Sequence, residues 1–515
     1  MPAGPPYANV IKDALETGDF LVTLEYTPEV SAVAFEEAMR RIERDAIRVA
    51  GDPRVRGFNI CDRVRSADCH DTVEIGRRLA EQSGKVPLLH LAGKDRTESE
   101  MEAIVRRALG YGLENLLFVS GDKLVPDVPR PVRYHDSVNA IRLARTLAPT
   151  ALIAAVVSPF KYREEELLNQ YLKLVKKVRA GADYIISNSG WDMAKFEELV
   201  WYRDARGLRF PLVANLFLLT RGLARKLNRK LLPGIRVTDD LLQKVEEEYA
   251  EPDSGKKLSR YRLALQMVGV KHMGYAGVHL SGVNTYEEHS AVLDLAAEVE
   301  RRLPSLDAWS HAWREAHTRR DGRIASVGPP DGLYLFPDRA RAAKSLARPP
   351  DPGRVRAGAA ELRAYRRLAA LDRVLFRPGS LGASLLGPLM RALDRAPLGR
   401  RALLRLERAV KKPLLGCQMC GFCRLPYTLF VCPETCPKGL ANGPCAGTDD
   451  NLCEFKDREC THNRAYRIAK ATGRLPDLEE LMIPAVTDTR GTCSWANHYR
   501  GTVPTAVRLT TQATN

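Results

Sequence analysis

The first four hundred residues of the chain contain almost no cysteine. Only Cys61 and Cys69 lie there, whereas nine of the eleven cysteines follow residue 416 and eight of these fall between Cys417 and Cys460. A disulfide framework spread over the whole chain is therefore excluded, and the long N-terminal part must be held together by its own apolar core.

The sequence also shows no signal-peptide pattern in its first residues and no long apolar run. The first residues, MPAGPPYANVIKDALETGDF, show no basic start followed by an apolar stretch, so we expect no signal peptide. No window approaches the roughly 18 apolar residues of a transmembrane segment. We therefore expect a cytoplasmic protein, in which reduced thiols favour metal binding over disulfides.

Acidic residues are scarce in one stretch. Residues 301–415 carry 25 Lys or Arg and 10 Asp or Glu, which accounts for nearly all of the net charge of +16. We interpret this stretch as a solvated, Arg-rich connector, with a docking surface for an acidic protein partner as the main alternative and binding to nucleic acid or an anionic membrane as a further one. No basic motif interleaved with aromatic residues is present, so we expect no nucleic-acid partner.

Short apolar runs alternate with helix-like stretches through the first three hundred residues. Eight βα units of this kind predict a (β/α)8 TIM barrel in the α/β class. A doubly wound open sheet is the alternative, although no G-x-G-x-x-G follows the first strand. The runs are 21–29, 57–62, 87–92, 115–122, 151–158, 183–188, 210–218 and 277–282.

The length of 515 residues calls for more than one domain. We expect the barrel to occupy residues 1–300 and a mostly helical, basic connector to follow at 301–412. A small cysteine-rich, metal-binding module would then span 413–483, with a polar tail at 484–515.

Polar residues at the carboxyl ends of barrel strands are the candidate site residues, because these ends form the active site. Glu25 is the most informative, since a carboxylate inside the apolar run LVTLEYTP is costly unless it is paired or functional. We expect burial to raise its pKa, which suits a general acid. Further candidates are Asp62, Arg63, His90, Ser120, Gly121, Asp122, Ser187, Asn188, Asn215, His279 and Ser281.

The cysteine spacing after residue 416 predicts one or two metal sites. The pattern is C-x2-C-x2-C-x8-C-x3-C-x8-C-x7-C-x6-C, and Cys432 and Cys436 each precede Pro. Three cysteines at two-residue gaps resemble ferredoxin-like iron–sulfur ligation more than a zinc ribbon, and zinc is the alternative. We interpret His462 as a surface residue rather than a zinc ligand. The predicted ligands are Cys417, Cys420, Cys423, Cys432, Cys436, Cys445, Cys453 and Cys460.

Five segments, in order and at barrel spacing, resemble motifs of the methylenetetrahydrofolate reductases. They are LVTLEYTPE (21–29), PLLHLAG (87–93), ENLLFVSGD (114–122), KKVRAGADYIIS (176–187) and GYAGVHLSGVN (274–284). The resemblance covers about residues 18–300. It implies a barrel that binds a flavin, FAD or FMN, and a folate substrate, and that converts 5,10-methylenetetrahydrofolate into 5-methyltetrahydrofolate or the reverse.

The resemblance also assigns roles by position. It implies that Glu25 protonates the folate nitrogen as the ring opens, and that Asp122 lies near the flavin ring and tunes its electronics. His90, Gly121 and Lys177 would contact the flavin, with Lys177 near its phosphates.

Three features depart from the family pattern. Asn188 replaces a Gln that helps to bind folate, and only Trp191 keeps the aromatic character of that segment. Cys61 stands where a Thr that contacts the flavin is common, and strand 7 ends on Ala214 and Asn215 rather than Pro-Gly. The implied substrate contacts are therefore Asn188 and Trp191, and the implied flavin contacts include Cys61.

The cysteine-rich segment 417–460 resembles a C-terminal module associated with the same reductases, which occurs as a fusion or as a separate partner subunit. Iron–sulfur clusters in it would relay electrons to the flavin, with NAD(P)H or a redox protein as donor. We expect a homo-oligomer or a hetero-complex. The competing functions are a folate- or corrinoid-linked methyltransferase with an iron–sulfur domain, and a zinc-ribbon nucleic-acid binder.

Overall fold

Eight parallel strands form a closed barrel. The computed structural model describes residues 7–64, 68–123, 134–283, 285–336, 355–486 and 488–510. Each strand pairs with the next, and β8 pairs with β1, which confirms the predicted barrel and shows that the open-sheet alternative is wrong. The strands are Leu21–Tyr26 (β1), Gly57–Ile60 (β2), Leu88–Ala92 (β3), Asn115–Val119 (β4), Leu152–Val157 (β5), Tyr184–Ser187 (β6), Leu212–Phe217 (β7) and Gly277–Ser281 (β8).

Helices alternate with the strands, and three helices connect β7 to β8. The helices of this part are Val10–Thr17 (α1), Phe35–Ala50 (α2), Thr72–Ser83 (α3), Glu98–Gly110 (α4), Ser137–Leu147 (α5), Glu164–Ala180 (α6), Met193–Ala205 (α7), Arg221–Asn228 (α8), Asp239–Tyr249 (α9), Lys256–His272 (α10) and Tyr286–Arg302 (α11). Gly181 ends α6 as expected: its φ is +121°, and a Cβ there would meet the Arg145 side chain.

The lower end of the barrel is closed by α1. Ile11 and Ala14 pack against the first residues of several strands, among them Leu21, Leu88 and Leu152. A larger core fills the space between the strands and the outer helices. The carboxyl ends of the strands are therefore the open end, where side chains that the core does not need can serve a ligand.

The chain continues as helices and then as a compact cysteine-rich region. The remaining helices are Leu306–His317 (α12), Ala359–Leu375 (α13), Leu381–Arg395 (α14), Pro397–Leu415 (α15), Thr461–Ala471 (α16), Leu475–Glu480 (α17) and Ser494–Arg500 (α18). Leu481–Met482 (β9) and Val507–Arg508 (β10) form a short antiparallel pair. Within the described residues, no helix combines the length and apolar character that crossing a membrane requires.

The cysteine-rich region packs on helix α6 of the barrel. Gln170 donates to the carbonyl of Cys445 at 2.8 Å, Asn169 to that of His462 at 3.0 Å, and Tyr466 to the Glu164 carboxylate at 2.9 Å. These contacts explain why most of α6 is buried although its sequence is rich in polar residues. Such burial requires partners for the polar groups, so the two regions form a specific interface.

Candidate active site and cysteine groups

The carboxyl group of Glu25 lies at the open end of the barrel between two partners on β8. Ser281 donates a hydrogen bond of 2.9 Å to Oε2 of Glu25, and His279 Nε2 lies 3.1 Å from the same oxygen. The Ser281 hydroxyl also lies 2.9 Å from the amide oxygen of Asn215, on β7. Closure of the barrel thus brings residues from its first and last strands onto one carboxylate.

The pKa of Glu25 is lowered, which corrects the expectation of a raised value. Burial does raise the pKa, but the hydrogen bond and the electrostatic attraction of His279, with a smaller contribution from the hydrogen bond of Ser281, outweigh it. The side chain also remains 20% exposed. The expectation was wrong because it considered desolvation alone and not the partner across the β1–β8 seam.

His90 lies beside His279, with the two rings stacked at a centroid distance of 5.6 Å. Burial lowers the pKa of His90 to about 3, so its imidazole is neutral at physiological pH. Its Nδ1 lies 3.6 Å from the Cys61 thiol, and its Nε2 is buried with no partner among the described residues. Burial also raises the pKa of Cys61 well above the ordinary thiol value. Two neutral groups therefore line this side of the mouth.

Gly121 and Asp122 form the loop after β4. Gly121 has a φ of +80°, and a Cβ on it would lie 2.7 Å from the Cβ of Lys94. Burial of its carboxyl raises the pKa of Asp122, while the positive charges of Lys438 and Lys94 oppose this rise. Lys438 belongs to the cysteine-rich region, so the barrel mouth is completed from outside the barrel.

The remaining residues predicted to contact the flavin or the folate lie in different surroundings. Lys177 is buried on α6 and donates to the carbonyl of Val156 on β5, and burial lowers its pKa to about 7. Asn188 follows β6, and its side-chain oxygen accepts from the amide of Ser189. Trp191 is 2% exposed within an apolar cluster.

Two strand-end residues serve the fold rather than the mouth. Asp62 forms an ion pair with Arg96 and accepts a hydrogen bond from the backbone amide of Ala92, so both partners of its carboxylate belong to the barrel itself. Arg63 donates to the carbonyl of Lys94. The last family-like segment ends on Asn284, which lies outside the described residues.

The eight clustered cysteines fall into two groups of four in chain order. Burial raises the pKa of Cys432 to about 12, and the nearby thiols of the first group add to the rise. The pKa of Cys460 is raised in the same way by burial and by the thiols of the second group. The first group is Cys417, Cys420, Cys423 and Cys432; the second is Cys436, Cys445, Cys453 and Cys460.

The first group lines a single cavity beneath α15. Lys411 donates to the Cys423 sulfur at 3.5 Å and to the Glu407 carboxylate at 2.7 Å. Ser494, which begins α18, also donates to Glu407 and so completes this network. A buried ammonium against a thiol is the kind of contact that stabilises thiolate charge.

The second group lies against the barrel mouth. Lys438 donates to the carbonyl of Gly121 at 2.7 Å and pairs with Glu454. Glu454 in turn accepts from the backbone amide of Lys123 and lies 3.8 Å from the Cys445 sulfur. The loop that carries Asp122 is thus held by residues that surround the second group.

The donor chemistry of these groups fits a thiophilic metal. The cysteines are free thiols, and the acids of the first cavity, Glu407 and Glu434, are held in ion pairs with Lys411 and Arg424. Across the described ranges, no three His, Cys, Asp or Glu side chains are positioned to hold one metal ion directly. Bound metal therefore stays a prediction.

His462 is not the surface residue that we expected. It is 7% exposed, and burial lowers its pKa to about 3. The charged groups that influence this pKa are Lys173, Asp136 and Lys176 of the barrel, and not the thiols. They lie near His462 because α16 packs on α6.

A family model described as methylenetetrahydrofolate reductase matches residues 10–297, more than half of the chain. The chain belongs to the methylenetetrahydrofolate reductase family. The barrel is that of an oxidoreductase of this family. A second model, described as the methylenetetrahydrofolate reductase C terminal, matches residues 398–489, so both resemblances seen in the sequence are confirmed.

Other comparisons add little to this assignment. No curated protein matches the chain. Among solved structures, an apo-form protein from Toxoplasma gondii ME49 named as a deoxyribose-phosphate aldolase is similar at 10% identity, over 56% of this chain and 97% of that chain. The TM-score is 0.30, and this likeness carries no argument about function.

Sequence reasoning missed the residues that join the two regions. The sequence analysis assigned no role to Lys438 or Glu454, yet their side chains are 2% and 4% exposed and paired with each other. The one available signal was the position of Lys438, directly after the Cys-Pro at 436–437.

Proposed function

We propose that this chain interconverts 5,10-methylenetetrahydrofolate and 5-methyltetrahydrofolate with a bound flavin. The observation that carries the proposal is the carboxyl of Glu25, hydrogen-bonded to Ser281 and His279 at the open end of a barrel of this family. A carboxyl held at the carboxyl ends of barrel strands suits proton transfer to or from a bound ligand.

The residues around the mouth fit a flavin, FAD or FMN. His90 offers a buried ring nitrogen that has no partner among the described side chains, and Gly121 lets the backbone turn where a side chain would obstruct it. We assign the flavin to His90, Gly121, Asp122 and Lys177, with Cys61 beside His90. When bound, the flavin supplies the electron pair for the reduction.

Glu25 has to be protonated before it can act as the acid. Its lowered pKa leaves it ionised in the open mouth at neutral pH. An apolar ring system above it would increase its desolvation and raise its pKa, so substrate binding would draw the proton to the place where the folate nitrogen needs it. We assign Asn188 and Trp191 to the folate; Trp191 is 2% exposed, as buried as His279 and Ser281 of the same mouth.

Replacing His279 with Asn is expected to raise the pKa of Glu25. Burial then acts without the hydrogen bond and charge that oppose it. The acidic form persists to higher pH, so the alkaline limb of the pH profile of kcat/KM for the folate should move to higher pH. Ser281→Ala should move it in the same direction by less, because Ser281 contributes least. A move to lower pH, or a larger effect of Ser281→Ala, would contradict this account.

We further propose that each group of four cysteines binds one metal centre, with iron–sulfur clusters favoured and zinc as the alternative. Thiolates at these spacings suit both, and the two groups are separate in space. The first group lies under α15 and the second lies against the β4 loop. Electrons from NAD(P)H or a redox protein would then reach the flavin through the first group and the second, in a reducing, cytoplasmic setting.

Removing one thiol from either group is expected to halve the metal content. Cys432→Ser should remove the metal from the first group only, and Cys445→Ser should remove it from the second group only. Each group supplies four ligands of its own. The measurement is iron and zinc per chain in anaerobically purified protein. Cys493→Ser is the matched control, since Cys493 is also buried but belongs to neither group. Loss of all metal from one substitution would show a single shared site.

The absorption spectrum of the same anaerobic sample tests the proposed reaction. We expect flavin bands and, on addition of 5,10-methylenetetrahydrofolate to the reduced protein, their return to the oxidised form. Absence of flavin bands would instead favour the methyltransferase alternative. Stoichiometric zinc without iron would leave the folate reaction intact and rule out the relay.

A further inference from the structure

Helices α13, α14 and α15 expose an unusual number of large apolar side chains. Leu381, Leu385, Leu398 and Leu414 are 85%, 76%, 77% and 72% exposed. Exposed apolar surface of this extent, surrounded by charge, is typical of a contact site rather than of free protein surface. We refer to residues 355–415 as the connector face.

A groove separates the connector face from the cysteine-rich region. It has a volume of about 610 Å³ and is mainly apolar, with walls that include Leu371, Leu414, Phe376 and Trp495. Its lining includes Cys423 of the first cysteine group and Lys411, which donates to the Cys423 sulfur. A molecule that fills this groove therefore reaches a predicted metal ligand without entering the barrel.

The connector face is strongly positive. It contains fourteen Lys or Arg and four Asp or Glu. Thirteen of these cations are exposed, and the exception is Lys411. Three of the four acids are paired and so do not offset the outward charge. The pairs are Glu361–Arg467, Asp394–Arg500 and Glu407–Lys411.

We propose that the connector face docks a small acidic electron-carrier protein, which places an apolar projection in the groove beside Cys423. This inference rests on the proposed function. Reduction of one 5,10-methylenetetrahydrofolate takes up two electrons and two protons. Two docking events of a one-electron carrier supply the electrons, each carrier leaving oxidised, and the protons come from solvent, one of them through Glu25.

Two other occupants fit the face less well. A second copy of this chain would bring the same positive face against it, and like charges across an interface are repulsive. An anionic membrane would satisfy the charge and the exposed leucines, but a flat bilayer does not follow a concave groove down to Cys423. An acidic protein meets both the charge and the shape.

The experiment compares two electron sources for folate reduction by the whole protein. An acidic [4Fe–4S] ferredoxin, reduced with dithionite, serves as the carrier probe, and reduced methyl viologen serves as a small donor that needs no docking surface. The groove variant is Leu414→Asp, and the charge variant is Arg366→Glu with Arg367→Glu and Arg373→Glu. The matched controls are Ile47→Asp and Arg302→Glu, at exposed positions on the outer helices of the barrel.

We expect both connector variants to lower kcat/KM for ferredoxin about tenfold or more at low salt, since steering by opposite charge raises association rates by that order. The viologen rate and both controls should stay within about twofold, and added salt should slow the wild type with ferredoxin only. Unchanged ferredoxin kinetics in the variants would overturn the docking proposal.

Two further results would also overturn it. One is a wild-type dimer in sedimentation that Leu414→Asp dissociates. The other is binding to phosphatidylglycerol vesicles that Leu414→Asp abolishes while ferredoxin kinetics do not change. Absence of folate reduction by the wild type with either donor would instead remove the proposed function, so the two failures are distinguishable.

Discussion

Glu25→Gln is expected to abolish folate reduction while flavin binding and flavin reduction continue. Glutamine keeps the shape of the side chain and can still accept a hydrogen bond from Ser281, but its amide has no acidic proton to transfer. Loss of a general acid of this kind lowers rates by about 10²–10⁴-fold. The measurement is a single-turnover experiment in which the reduced flavin is mixed with 5,10-methylenetetrahydrofolate and its reoxidation is followed.

The same variant separates a chemical role of Glu25 from a structural one. A purely structural Glu25 would, on substitution, weaken flavin binding and shift the melting temperature together with the rate. If the role is chemical, flavin binding and the melting temperature stay at the wild-type level and only the rate falls. Folate reduction at a near-normal rate would show that the acid is a different group.

The barrel was predictable because its strands are buried on both faces. Such strands appear in the sequence as short continuous apolar runs, and all eight runs became strands. Glu25 was predictable for the same reason, since a carboxylate inside such a run is conspicuous. Its pKa was not, because the group that controls it, His279, is 254 residues away and becomes a neighbour only when β8 closes on β1.

The cysteine pattern predicts thiolate ligands but not how the eight cysteines divide into groups. Spacing alone allows many ways to choose four cysteines from eight, and the observed division follows the chain order because the turn at Pro433–Thr435 separates Cys432 from Cys436. His462 was misjudged as a surface residue, and the burial of Trp191 was not foreseen, for a common reason. Whether an aromatic or imidazole ring faces solvent depends on what packs over its loop or helix, which a single sequence does not show.

The contact between the cysteine-rich region and the β4 loop was the least predictable feature and makes a sharp prediction of its own. Lys438→Met is expected to release the loop that holds Asp122. It leaves Glu454 buried without its cation, and breaking a buried pair on one side typically costs about 3–5 kcal/mol. The backbone amide of Lys123 donates to Glu454, so its hydrogen exchange reports on this contact directly.

We expect the Lys123 amide to exchange about 10²–10⁴-fold faster in Lys438→Met, which is the factor that this free energy implies when local opening limits exchange. The double variant Lys438→Met/Glu454→Gln should recover part of the protection, because the unpaired charge is gone. Lys271→Met, which breaks the exposed pair with Glu300, should change exchange at Lys123 little.

Flavin affinity should fall in Lys438→Met and partly recover in the double variant, since the loop that carries Gly121 and Asp122 is held from the cysteine-rich region. Unchanged exchange at Lys123 would mean that the barrel holds this loop by itself, and that the second cysteine group lies beside the mouth without supporting it.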